Sequence, residues 1–115
     1  MEIINRVNLS IVLNSIIPTY SIGQIRGTIN EDCCVLRKGV DIPSTNNSKG
    51  HWDNWYIDIY SPFSPINVDD IVTHIKHRLL EITNVEIEQL INGDYYDEVL
   101  RAYSTSMSIR IPNIY

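Results

Sequence analysis

Histidine, cysteine, aspartate and glutamate are the side chains that bind metals and move protons. This 115-residue chain carries three histidines, two cysteines and 14 acidic residues. His74 and His77 are three apart in a stretch of helical pattern, and His51 precedes them in a polar segment. That set resembles the start of a metal site. No acidic or cysteine partner follows at a ligand spacing, however, and the two helix positions fall on the polar flank of an apolar stripe. Solvated helix histidines are the expected reading, and no metal or other cofactor is predicted. Asp69-Asp70 and Asp97-Glu98 are paired carboxylates. Acid–base work needs burial or a partner that moves a pKa, and these pairs stand at a helix start and beside a turn. The many serines lack a Gly-x-Ser-x-Gly elbow, and Gly23 with Gly27 matches no phosphate or dinucleotide loop. Cys33 and Cys34 are adjacent, so in a strand they point to opposite faces and a bridge between them would be strained. They read as two strand residues in a reducing setting. With no catalytic constellation, an enzyme is not predicted.

The aromatic residues say more. Trp52, Trp55, Tyr56, Tyr60, Tyr95, Tyr96, Tyr103 and Tyr115 cluster in the middle and the last third of the chain. Tyrosine and tryptophan are enriched where proteins meet. In the alternating run 55–61, Trp55, Ile57 and Ile59 point one way and Tyr56, Asp58 and Tyr60 the other. Trp55 belongs to the core face. Tyr56 and Tyr60, with Asp58 between them, are available to a partner if their face stays open.

The elements that must position these residues follow from periodicity. Residues 3–17 carry Ile3, Ile4, Val7, Ile11 and Leu13 or Ser10 at mostly helical spacing, and Pro18 ends the run. A short strand is expected over 19–24, a turn near 30–32 and a strand over 33–40, stopped by Asp41-Ile42-Pro43. Residues 44–50 are the most polar stretch and read as a loop, making a long hairpin with the strand 55–61. Asn67 is expected to cap the clearest helix, with Asp69 and Asp70 in its first turn. Its stripe is Val68, Ile71, Val72, Ile75, Leu79 and Ile82, and Thr83-Asn84 ends it. Residues 85–91 suit a strand, and Asn92-Gly93 is a turn signal. Residues 94–101 are ambiguous. The last strand alternates Tyr103, Thr105, Met107, Ile109 and Ile111 against Ser104, Ser106, Ser108 and Arg110, with Pro112 stopping it. The fold class is therefore α+β: an antiparallel or mixed sheet of four to five strands with two helices packed on one face.

Composition bounds the setting. The length suits one domain spanning residues 1–115. A formal charge of -5 and scattered basic residues argue against specific nucleic-acid binding, which rests on Lys and Arg neutralising phosphates. No apolar run is long enough to span a membrane, and the Met-Glu start lacks the basic region of a signal peptide.

The run Trp55-Tyr56-Ile57-Asp58-Ile59-Tyr60-Ser61, a short break, the amphipathic helix 68–82 and a terminal strand from Ala102-Tyr103 to Ile109-Arg110-Ile111-Pro112 resemble the tail-terminator, or tail-completion, proteins of long-tailed bacteriophages. In that family a strand of the form Tyr-x-Val/Ile-Asp-Val/Ile-Tyr-Ser precedes the second helix, and the first helix here fits the family order. The likeness covers about the last two-thirds of the chain, as a pattern of elements. It implies a virion protein of the neck, assembled in the host cytoplasm. Its partners would be further copies of itself in a ring, commonly a hexamer, then the tail tube protein and the head connector or stopper. The ring would cap the growing tube, and DNA would pass through its lumen. Tyr56, Asp58 and Tyr60 become candidate contacts, together with Lys49 and Trp52 of the segment Pro43 to Asn54, which is expected to be mobile in the isolated subunit and to order against a neighbour or the tube. Another neck component, such as a head-completion or stopper protein, or a small dimeric binding domain, are the alternatives.

Overall fold

A computed structural model describes residues 6–21, 24, 27–39, 42–43, 50–81 and 86–114. The order is α1 (Arg6–Asn14), β1 (Thr19–Ser21), β2 (Cys33–Lys38), β3 (Ile42–Pro43), β4 (Gly50–Ser61), α2 (Pro65–Leu80), β5 (Glu86–Asp97) and β6 (Ala102–Ile114). The strands form one sheet in the order β1-β2-β4-β6-β5, and β3 pairs with the start of β4. The β1–β2 pair is parallel and the others are antiparallel, so the sheet is mixed. Both helices cover one face. Leu9 and Leu13 of α1 and Val68, Ile71, Val72, Ile75 and Leu79 of α2 share one core with Cys34, Leu36, Trp55, Ile57, Ile59, Met107, Ile109 and Ile111. This is the expected α+β class with both helices on one side. The α2 stripe is as its spacing predicts, except Ile82, which lies outside the described residues together with Thr83 and Asn84.

Several expectations are corrected. In α1 Leu13 is buried as one of the expected positions, but its partner one turn before is Leu9, and Ile11 is 63% exposed. Apolar residues stand on more than one side of this segment, so periodicity alone does not fix which of them face the core. Ile3 and Ile4 lie outside the described residues. The cap of α2 is Ser64, not Asn67. Ser64 has extended backbone, and its side chain accepts the Asn67 N–H at 3.2 Å. Pro65 fits the first helical position because its fixed φ suits the helix and no intrahelical partner awaits its nitrogen. Asp69 and Asp70 consequently stand beyond the first turn.

Asn92-Gly93 does not turn the chain. It lies inside β5, between register shifts at 90/92 and 92/95 that mark bulges against β6. The reversal comes at 98–101. There the Asp97 carboxylate accepts the Val99 and Leu100 N–H groups, both at 2.9 Å, and Arg101 takes the left-handed backbone (φ 56) that lets the chain turn back. Nor does Pro112 stop β6, which runs to Ile114. Among the described residues the pairing of β5 with β6 begins at Glu86 and Arg110, and Pro112 pairs with Trp52 of β4. Strand β4 starts at Gly50 rather than Trp55, since β6 continues beside it to the pair Gly50–Ile114. Residues 42–43, read as a stop, form β3.

Candidate functional site

The face of the sheet away from the helices carries Cys33, Val35 and Arg37 from β2, Asn54, Tyr56, Asp58 and Tyr60 from β4, and Ser104, Ser106 and Ser108 from β6. Register brings them into rows: Arg37–Tyr56–Ser108, Val35–Asp58–Ser106 and Cys33–Tyr60–Ser104. Three of the predicted contact residues, Tyr56, Asp58 and Tyr60, therefore share one face. Lys49 lies outside the described residues, as do residues 44–48 of the expected loop, and Trp52 is described only as a position in β4.

This face is not the open surface that alternation suggests. In its lower half, Arg37 Nε donates to Asp58 Oδ2 at 2.8 Å and Nη2 to Oδ1 at 3.4 Å, while Ser106 Oγ donates to Asp58 Oδ1 at 2.6 Å. The hydrogen bond and charge of Asp58 raise the Arg37 pKa further. The Arg37 guanidinium also lies 4.4 Å from the centre of the Tyr56 ring. The Tyr56 hydroxyl accepts from Asn54 Nδ2 at 3.1 Å, and Ser108 Oγ donates to Asn54 Oδ1 at 3.0 Å. Gly39 leaves room for the ring, since a Cβ there would stand 2.6 Å from Tyr56 Cε2. Ser106, Ser108 and Asn54 are buried, and Asp58 is largely so.

In the upper half the segment 27–32 crosses the sheet. The Ile29 N–H bonds the Leu100 carbonyl at 2.9 Å, and Ile29 packs on Cys33 and Ala102, with Tyr20, Tyr60 and Leu100 around them. Burial first, and then the Asp58 charge, push the Tyr60 hydroxyl up to about 12. Beside this cluster is a cavity of about 360 Å3, walled by Tyr20, Gln24, Thr28, Ile29 and Glu31 among others. The Tyr20 hydroxyl donates to Glu31 Oε1 at 3.1 Å, and that bond raises its pKa.

The remaining sequence candidates are placed as follows. His74 and His77 are exposed on α2, and the His51 side chain is outside the description. No group of three or more His, Cys, Asp or Glu able to hold a metal occurs among the described residues. Asp69, Asp70 and Glu98 are exposed, and Asp97 is used by its turn. Cys33 and Cys34 point to opposite faces, both free and buried, and burial pushes their thiols up to about 12 and about 11. No described helix is long and apolar enough to cross a membrane.

The partners of Asp58 and Tyr56 were not legible one residue at a time. Arg37, Asn54, Ser106 and Ser108 sit 2 to 54 positions from the groups they bond. Strand parity puts each on the correct face, but only register brings them together. Sequence reasoning singled out Tyr95 and Tyr96 among the aromatics but missed the exposed Phe63, Ile66 and Val99 at the same end of the sheet, because single apolar residues in turns and at a helix start have no periodicity to betray them. No known family model matches the chain, and no curated protein matches it in sequence.

Proposed function

We propose that this chain is a structural, non-enzymatic protein of the bacteriophage neck, a tail terminator. It would associate with copies of itself into a ring that caps the tail tube and joins it to the head connector. The observation that carries the reading is the path of the chain from 55 to 111. Strand β4 runs at the centre of the sheet through Tyr56-Ile57-Asp58-Ile59-Tyr60, passes through the three-residue break 62–64 into α2, and is flanked by the terminal strand β6, with both helices on one face. That order is the one the resemblance calls for. The chain is elongated, 44 Å along its longest axis, and in a ring its sheet would form part of the wall around the lumen. Six subunits would carry about -30 in formal charge, and negative charge near the lumen would keep DNA from sticking in transit. A head-to-tail contact repeated about an axis closes such a ring.

A phage whose gene for this chain is disrupted tests the reading. Electron microscopy of lysates should show overlong tail tubes, or tails that fail to join heads. Tails of normal length joined to heads would remove it. A second reading, a small dimeric binding domain, draws on the cavity beside Tyr20 and Glu31. Light scattering separates the two, since a ring and a dimer differ severalfold in mass.

A further inference from the structure

Seven large apolar or aromatic side chains are prominently exposed among the described residues, and five of them gather at one end of the sheet: Phe63, Ile66, Tyr95, Tyr96 and Val99. Strand pairing places them there. Ser61 at the end of β4 pairs with Tyr103, which pairs with Tyr96, so three strand ends share one row. Phe63 follows Ser61 by two residues and donates its N–H to Ser61 Oγ at 3.3 Å. Ile66 stands in the first turn of α2, and Val99 stands in the turn between β5 and β6. The ground beneath is firm. The Tyr96 ring meets Tyr103 edge-on at 5.1 Å between centroids, Tyr103 packs on the main core, and Asp97 holds the turn.

We propose that this apolar end is where a second copy of the chain docks; the proposal rests on the self-associating reading above. Area supports it. Phe63 and Tyr96, at about 200 Å2 each, leave on the order of 450 Å2 open together with Ile66 and Val99, at exposures of 48% to 83%, while Tyr95, next to Tyr96 in β5, points to the other face of the sheet. A standard interface takes about 800 Å2 from each partner, so the patch supplies more than half and a polar rim can supply the rest. Charge points to the same occupant. A chain of net charge -5 repels its own copies, so copies meet best where charge is sparse. The five side chains carry none, and Glu98 and Arg101, exposed on either side of Val99, are of opposite sign and can pair across copies.

The sheet edges leave side chains to make the contact. The Cys34 N–H bonds the Pro18 carbonyl, so Pro18 and Tyr20 turn their backbone groups to β2 and Thr19 and Ser21 turn theirs outward. Those outward N–H groups are already taken, Thr19 by Asn14 Oδ1 at 2.9 Å and Ser21 by Gln24 Oε1 at 2.6 Å. At the other edge, three register shifts interrupt β5, so its longest regular run against β6 is the three residues 95–97.

Light scattering on the full chain tests the proposal, comparing wild type with the double variant Phe63→Asp, Val99→Asp and with Ile11→Asp, an exposed apolar site on α1. Wild type and Ile11→Asp should both elute as a multiple of 13.3 kDa, and the double variant should fall to that monomer mass with its melting temperature kept. Ile66→Lys repeats the test should the double variant lose its fold. An assembled wild type beside an equally assembled, folded variant overturns this contact and leaves the self-associating reading standing. A wild type that is itself monomeric at tens of micromolar overturns both.

Discussion

At the scale of single residues, three buried protons tie stability to pH. Cys33, Cys34 and Tyr60 hold their protons more tightly in the folded chain, at about 12, about 11 and about 12, against ordinary values of 9.0, 9.0 and 10.0. A raised pKa means that the unfolded chain loses the proton first. Their contribution is therefore complete below about pH 9 and drains away as pH climbs from there through 11 and 12. Melting temperature should be flat from neutral pH to about pH 9 and fall beyond it. Tyr60→Phe should remove the part of the fall that begins near pH 10, and an unchanged alkaline slope in that variant would show that Tyr60 is not the group responsible. Asp58 gives a second residue-scale expectation. It accepts from both Arg37 and Ser106 on a largely buried site, so Asp58→Ala should cost about 1–3 kcal/mol in urea unfolding. Asp58→Asn should cost less, because an amide oxygen still accepts. Equal losses would indicate that packing, not hydrogen bonding, holds this position.

The helix and strand ends decide what happens at the scale of elements. Ser64 accepts the Asn67 N–H, so Ser64→Ala should cost about 1 kcal/mol and Asn67→Ala much less. The reverse order in thermal melts would return the cap to Asn67. Strand β1 is only three residues long, and both outward N–H groups are closed by side chains. An edge so closed resists pairing with other chains. Removing both closures, with Asn14→Ala and Gln24→Ala, should raise concentration-dependent aggregation on warming, read by static light scattering. The same scattering trace for variant and wild type would mean that the short length of β1 protects it unaided.

For the whole molecule, the balance between an apolar docking end and a repulsive net charge predicts the response to salt. Raising ionic strength to about 0.3 M shortens the Debye length to well under 10 Å and screens like-charged subunits from one another. It leaves apolar contact intact. Assembly should therefore strengthen with added salt, seen as a lower concentration for half-association in sedimentation velocity. Weakening with salt would point to a contact built on ion pairs. The same balance bears on Tyr56 and Tyr60 as contact residues. Both are half-buried and already engaged, Tyr56 with Arg37, Asn54 and the space over Gly39, and Tyr60 with Ile29 and Cys33. Truncating them would lower fold stability as well as any contact they make.

Much of the architecture is local in origin, and the sequence alone determined it. The α2 stripe, the alternation of 55–61 and of 103–111, and the opposed faces of Cys33 and Cys34 all follow from periods of 3.6 and 2 within one element. The true cap, Ser64 before Pro65, is also a local signal, although the expected cap is Asn67. Other features needed the tertiary structure because their causes lie far away in the chain. Asn92-Gly93 turns a hairpin only if the strands on its two sides pair with each other. Here the residues on both sides of Asn92-Gly93 pair with β6 instead, and Asp97 turns the chain five residues later. Pro112 stays in a strand because β4 continues beside β6 as far as Gly50. Ser104, Ser106 and Ser108 alternate like solvent-facing residues yet are buried, since Ile29 and the side chains of β4 close over them. Alternation tells which side of a sheet a residue faces. What lies over that side is settled by segments distant in sequence, because burial is a property of the packed whole and not of any one strand.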